Sequence, residues 1–95
     1  MRAELTRLDV EKIVDSGGRL AGNNLYKLDL SEIDLGAGDL RFCDLRYANF
    51  KKADLTGANL QRANLGGADL SKSSLSNTDF SWADMRWPVS VMRLP

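Results

Sequence analysis

The residues of this chain that are best suited to chemistry are eight aspartates, all separated by multiples of five positions. Grouped carboxylates could bind a cation or act in acid–base catalysis. However, the spacing is that of a repeat, and Asp and Asn readily bond nearby backbone groups in turns. We therefore interpret these aspartates as turn residues. They are Asp29, Asp34, Asp39, Asp44, Asp54, Asp69, Asp79 and Asp84.

Most hydrolase and metalloenzyme chemistry needs residues that this sequence lacks. It contains no histidine, so neither a histidine-based catalytic triad nor a zinc cluster can be built. Its single cysteine, Cys43, excludes an internal disulfide, and it stands at a position where the repeat prefers small residues. We expect Cys43 to be buried, and we predict a protein that is not an enzyme and needs no metal or cofactor.

Composition favours a single small domain. Hydrophobic residues make up 43% of the 95 positions, and 13 Lys and Arg balance 13 Asp and Glu. This balance gives no case for direct nucleic-acid binding or for a membrane partner. The start of the chain has no apolar run that could act as a signal peptide, and no stretch is long enough to span a membrane. A cytoplasmic location is the expectation.

The elements that must position these residues follow from a period of five. From Leu20 onward every fifth residue is apolar, the residue before it is mostly Asp or Asn, and the one before that is usually small. We predict that the apolar series forms the core. It continues through Leu25, Leu30, Leu35, Leu40, Leu45, Phe50, Leu55, Leu60, Leu65, Leu70, Leu75, Phe80 and Met85.

A period of five fits neither a helix nor a strand. Five steps rotate a helical side chain by about 140°, and an odd step in a strand reverses its face. The apolar row stays inside only if the chain turns a corner once per repeat. With four sides, residues 20 apart stack, and only Asp34 then faces another aspartate, Asp54. Three sides would stack a wholly acidic column, so like-charge repulsion favours four.

The segments 53–57, 58–62, 63–67 and 68–72 resemble the A(D/N)LXX signature of the pentapeptide-repeat family. The resemblance implies an all-β fold, a right-handed quadrilateral β-helix (β-solenoid) with the central and small residues pointing inward. The repeats would make about three and a half coils. Some members of the family, the quinolone-resistance group, resemble B-DNA and bind type II topoisomerases such as DNA gyrase.

The two ends of the chain depart from the repeat. Residues 1–18 contain a short amphipathic segment, with Leu5, Leu8 and Ile13 or Val14 on one face, which we predict to be a capping helix. We expect Thr6 or Asp9 as its N-cap and a glycine pair at its end. The β-helix is expected over 19–87. The tail 88–95 would cap the last coil, contact a second copy in a homodimer or serve as a linker.

Stacking at 20 residues gathers aromatic and arginine side chains on one side of the predicted solenoid. Two interpretations stay open: these side chains cover the coil wall, or they form a protein-binding face. A neighbouring column with Lys52 and Lys72 is expected to be a solvated basic strip. The candidate binding residues are Phe42, Arg46, Tyr47, Arg62, Trp82, Arg86 and Trp87.

Two functions are therefore compared. The first is a non-enzymatic structural or interaction module that displays side chains to a protein partner of unknown identity. The second is a DNA mimic that binds a type II topoisomerase, as the quinolone-resistance members do. Mimicry of DNA needs an acidic rod, whereas the coils here are nearly balanced in charge. The first function is favoured for this reason.

Overall fold

A computed structural model describes residues 5–86, which contain one helix and a series of turns. The helix, α1, spans Arg7–Asp15. The N-cap is Thr6, whose hydroxyl accepts from the backbone N–H of Asp9 while the Asp9 carboxylate accepts from that of Thr6. This reciprocal capping box satisfies two N–H groups that the helix leaves unpaired.

The end of α1 is a glycine-dependent stop. Gly17, with φ +74°, donates to the carbonyl of Val14, and Gly18 donates to that of Ile13. These two bonds form a Schellman motif, in which a left-handed residue closes the last turn and uses up free carbonyls. The glycine pair therefore ends the helix, as the sequence predicts.

The buried face of α1 differs from the predicted one. Val10 is fully buried in the main core, and Ile13 and Val14 pack against it, whereas Leu8 is 57% exposed. Positions 10, 13 and 14 lie on one helical stripe, while Leu8 is about 200° away from Val10 around the axis. Leu8 is therefore wrongly placed in the predicted apolar face, and Val10 takes its role.

From Ala21 to Trp82 the chain makes one tight turn per pentapeptide. A typical turn is closed by the N–H of Cys43 donating to the carbonyl of Leu40 at 3.2 Å. The second turn residue has a positive φ in every repeat, from +58° to +62° where it is not glycine, as at Phe42 with +62°, and from +70° to +78° where it is glycine. A positive φ at this position alone is the signature of a type II turn.

Successive coils pair through parallel bridges between residues 20 apart, such as Asn24 with Asp44 and Asp44 with Asn64. Each coil therefore contains four pentapeptides, as the four-sided prediction requires. Within the described range these bridges are isolated, and no continuous strand forms. Two of every five residues belong to a turn, so each side of a coil is too short for more than one bridged residue.

In an inner repeat, such as the pentapeptide Cys43–Tyr47, every backbone N–H has an acceptor. The first N–H closes the turn to Leu40, and the second, third and fifth donate to carbonyls of adjacent coils at 2.8–3.1 Å. The fourth, that of Arg46, donates to the Oδ1 atom of Asp44 at 3.2 Å. Because an unpaired buried amide is costly, the side-chain acceptor completes the hydrogen bonding of the turn.

The apolar row forms a continuous core along the inside of the coils. The central residues from Leu20 to Leu70 are at most 2% exposed, and Cys43, Ala48, Ala53, Ala58, Ala63 and Ala68 fill the small positions beside them. Ile33 is also buried, and Leu28 packs on the core at the end where α1 lies. The larger residues at these two positions therefore fill the space beside the helix.

Burial decreases along the last described coil. Leu75 and Phe80 are half-buried against the core, and Met85 is 43% exposed. Met85 is therefore not the core residue that the period predicts. No later coil among residues 5–86 lies over its side chain, so it lacks the neighbours that enclose Leu65 one coil earlier. The tail 88–95, for which a cap, a dimer contact and a linker were predicted, lies outside the described residues.

Candidate protein-binding surface

The turn residues form four corners that run along the coils, and each corner takes the name of one of its members. The Phe42 corner consists of 21–22, 41–42, 61–62 and 81–82, and the Tyr47 corner, which follows it, of 26–27, 46–47, 66–67 and Arg86. The Lys52 corner comes next, with 31–32, 51–52 and 71–72, and the Gly57 corner is the last, with 36–37, 56–57 and 76–77.

The Asp and Asn residues before the core positions act as turn acceptors. Twelve of them accept, through Oδ1, the backbone N–H of the residue two positions later, at 2.9–3.2 Å, as Asp54 does from Thr56. Hydrogen bonds from Thr56 lower the pKa of Asp54. Carboxyls held in the ionised form in this way are poor general acids at neutral pH.

Three arginines at the first turn position bind these carboxylates directly. Arg41, Arg46 and Arg86 each donate through Nε and Nη2 to the two oxygens of the aspartate two residues earlier, at 2.8–3.1 Å. The bidentate bonds from Arg41 lower the pKa of Asp39 from 3.8 to about 2. The predicted surface residues Arg46 and Arg86 are thus already engaged with Asp44 and Asp84.

The Phe42 corner presents a ridge of Phe42, Arg62 and Trp82 from three successive coils. Phe42 is 61% exposed and Trp82 is 79% exposed, and the guanidinium of Arg62 lies over the Trp82 ring at 5.7 Å from its centroid. All three residues have φ values of 61–62°. The structure therefore brings these three predicted residues together on an open surface.

The Tyr47 corner is packed more closely. Tyr26 and Tyr47 meet edge to face at 6.0 Å between ring centroids, and Arg46 lies over Tyr26 at 4.9 Å. The Tyr47 ring covers Gly67 so closely that a Cβ atom there would overlap it. For Tyr47 and Arg46 the packing interpretation is therefore the better description, although Tyr47 is still 55% exposed. Trp87, predicted to extend this corner, lies outside the described residues.

Sequence reasoning missed the role of the glycines under Tyr47. Gly66 is buried and Gly67 has a φ of +72°, and neither has a side chain, so the Tyr47 ring can lie directly on the backbone of this coil. The signal was present, because a Gly-Gly pair stands 20 residues after Arg46-Tyr47. Its meaning depends on a ring orientation that spacing alone does not define.

Cys43 is buried and its thiol donates to the carbonyl of Leu20 at 3.1 Å. Burial raises the pKa of this thiol to about 11. Since the thiolate is the reactive form of cysteine, Cys43 serves packing in this environment.

Within 5–86, no group of three or more Cys, Asp or Glu side chains is arranged to hold a metal ion. In the same range, no helix has the length and apolar character needed to cross a membrane.

Comparison with known proteins identifies the repeat. The sequence model described as "Pentapeptide repeats" matches in eight copies over residues 24–62, 39–71 and 53–87. The chain belongs to the pentapeptide-repeat family, and this membership implies a right-handed β-helix. No curated protein sequence matches the chain.

The solved structures that are similar to this protein include two pentapeptide-repeat proteins. One is alr5209, a pentapeptide-repeat protein from Nostoc Pcc 7120, which is 23% identical with a TM-score of 0.40; the match covers 100% of this chain and 93% of that one. The other is Rfr23, a pentapeptide-repeat protein from the cyanobacterium Cyanothece 51142, 26% identical with a TM-score of 0.35. That match covers 97% of this chain and 66% of Rfr23.

Proposed function

We propose that this protein is a non-enzymatic interaction module that presents the ridge of Phe42, Arg62 and Trp82 to a protein partner. The observation that carries the proposal is the exposure of two large aromatic side chains at a left-handed backbone position. A left-handed conformation costs an ordinary residue about 1–2 kcal/mol, and exposed rings regain little of this by packing. Exposed aromatic and arginine side chains are typical of binding hot spots.

The rest of the coil surface supports a role without chemistry. Its eight repeat aspartates accept hydrogen bonds in turns, and its single thiol is buried. Twelve Asp and Asn residues before core positions act as turn acceptors, but the turn does not require Trp or Phe at its second position, where glycine also occurs. The ridge is therefore the part of the surface that the architecture leaves unexplained.

We also propose that residues 19–87 form about three and a half coils and that α1 caps the first of them. Arg7 Nη1 donates to the carbonyl of Asp29 at 2.9 Å. In later coils the matching carbonyl, such as that of Asn49, accepts an N–H from the coil before. The arginine thus satisfies an acceptor at the open edge of the first coil, as expected of a cap.

Affinity capture with matched variants tests the interaction module. Trp82→Ala removes a ridge ring, and Lys72→Ala makes the same kind of truncation at the same turn position in the Lys52 corner. We expect capture of a defined partner by the wild-type chain and by Lys72→Ala, with loss in Trp82→Ala. Equal capture by both variants would contradict a role for the ridge.

The topoisomerase interpretation is the second candidate, because aspartates flank a corner that carries no charged residue. Asp34, Asp54 and Asp79 lie beside the Gly57 corner without an ion-pair partner among the described residues, whereas Asp39 is paired with Arg41. A DNA gyrase supercoiling assay with the purified chain tests it. Inhibition that persists in Trp82→Ala but is lost in the double variant Asp34→Asn/Asp54→Asn would favour this candidate over the ridge.

A further inference from the structure

We infer that the partner of the Phe42–Arg62–Trp82 ridge is an acidic protein segment, whose carboxylate pairs with Arg62 while its apolar side chains cover the two rings. The inference rests on the proposed function and names the chemistry of the partner. Arg62 differs from the other arginines of the coils in its ion pairing.

Arg62 is left without an anionic partner among residues 5–86, whereas Arg41, Arg46 and Arg86 are each paired bidentately with an aspartate. The difference comes from position. The paired arginines are first turn residues two places after an Asp, while Arg62 is a second turn residue. In its coil the flanking acceptor positions hold amides, Asn59 and Asn64, instead of carboxylates.

The carboxylates in the neighbouring coils are also in use. Asp39 and Asp44 bind Arg41 and Arg46 in the coil before Arg62, and Asp84 binds Arg86 in the coil after it. Asp79 accepts from Ser81 and from the side chain of Gln61, the latter at 2.6 Å. None of these carboxylates forms an ion pair with Arg62.

The Arg62 guanidinium can accept an outside partner. Its Cζ atom lies over the Trp82 ring at 5.7 Å from the ring centroid, and its N–H groups make no side-chain hydrogen bond within the described residues. A planar guanidinium carries donors that match the two oxygens of a carboxylate.

The distribution of charge around the coils favours the same partner. Eight of the nine cations at positions 19–86 lie on the Phe42, Tyr47 and Lys52 corners, and the ninth, Arg19, pairs with Asp39 at 3.8 Å. Beside the ridge, Asp39, Asp44 and Asp84 are balanced by the arginines that pair with them, so Arg62 is the one cation of the Phe42 corner without an ion-pair partner among the described residues. A carboxylate of a partner would thus be attracted to Arg62.

Selection of a random displayed peptide library on the immobilised full chain tests the inference, with the selected peptides then measured individually in solution. We expect enrichment of peptides that combine Asp or Glu with aromatic or leucine residues. Arg62→Gln should weaken their binding about tenfold or more, since a charge-assisted bond is lost. The control Lys52→Gln removes one positive charge at the same turn position, two corners away, and should leave binding nearly unchanged.

The outcomes separate this inference from the proposed function. Peptides that depend on Trp82 but are neutral or basic would overturn the acidic partner and leave the ridge as a binding site. Peptides that bind equally to Trp82→Ala, or no enriched peptide at all, would contradict both. Equal losses in Arg62→Gln and Lys52→Gln would show general charge attraction and overturn the role of Arg62. Tighter binding of a single-stranded DNA oligonucleotide than of any acidic peptide would also overturn it.

Discussion

Replacing Lys52 with glycine should stabilise this protein, whereas the same replacement of the adjacent Lys51 should destabilise it. Both lysines are exposed and belong to one turn, but only Lys52 has a left-handed backbone, with φ +61°. The N–H of Lys52 donates to the carbonyl of Ser71, and glycine keeps that bond. Each variant removes one lysine charge, so the pair differs chiefly in backbone conformation.

The magnitudes follow from two opposing effects. Glycine relieves a left-handed strain of about 1–2 kcal/mol at position 52. It also costs about 0.5–1 kcal/mol, because the unfolded chain gains conformational freedom. We therefore expect Lys52→Gly to raise the free energy of unfolding by about 0.5–1 kcal/mol. Lys51→Gly carries only the cost and should lower it by a similar amount.

Thermal unfolding followed by far-UV circular dichroism measures the difference. For a domain of this size, 1 kcal/mol corresponds to about 4–8 °C in Tm, so the two variants should melt on opposite sides of the wild-type protein. Urea titration gives the free energies directly. Equal destabilisation by both variants would show that the turn imposes no strain on its second residue, and the type II assignment would be refuted.

Three further predictions concern the glycine under the Tyr47 ring, the turn acceptors and acid stability. Gly57→Ala should lower the free energy of unfolding by about 1 kcal/mol, because its φ is left-handed. Gly67→Ala should lower it by about twice as much, because the Tyr47 ring is also displaced. Equal urea midpoints for the two variants would contradict the packing of the Tyr47 ring on Gly67. Asp54→Asn keeps the acceptor and should stay within about 0.5 kcal/mol of wild type, whereas Asp54→Ala should lose about 1 kcal/mol in the same titration. Because the pKa of Asp39 is lower in the folded chain than its ordinary 3.8, its stabilising contribution is present above that pH and is lost as the pH falls to about 2. Across this pH range, the free energy of unfolding of Arg41→Ala should depend less on pH than that of the wild-type protein. An unchanged dependence would contradict the pairing of Arg41 with Asp39.

The repeat and its inward row could be predicted because they follow from a one-dimensional pattern. A period of five allows one way to bury Leu55 and Leu60 together, and the charge columns favour coils of 20 residues. The role of Asp54 as a turn acceptor was predictable for the same reason, because the bond to Thr56 is local. Helix α1 was predicted with its cap and stop, but its buried residue is Val10 instead of Leu8.

The candidate surface was predicted only as a set of columns. Stacking at 20 residues places Phe42, Arg62 and Trp82 in one row and Tyr47 in the next, without saying which rings pack and which stay open. That depends on ring orientation, on the glycines under Tyr47 and on the arginines already paired with aspartates. Spacing also could not show that Met85 loses its cover at the last described coil.

The sequence by itself determined the architecture, because the turn, its acceptor and the inward leucine recur within five residues and act over short distances. The tertiary structure alone decided the surface, because residues 20 apart meet only after the coils stack. Because of that stacking, Arg62 lies beside the Trp82 ring and forms no ion pair with a carboxylate of the described residues.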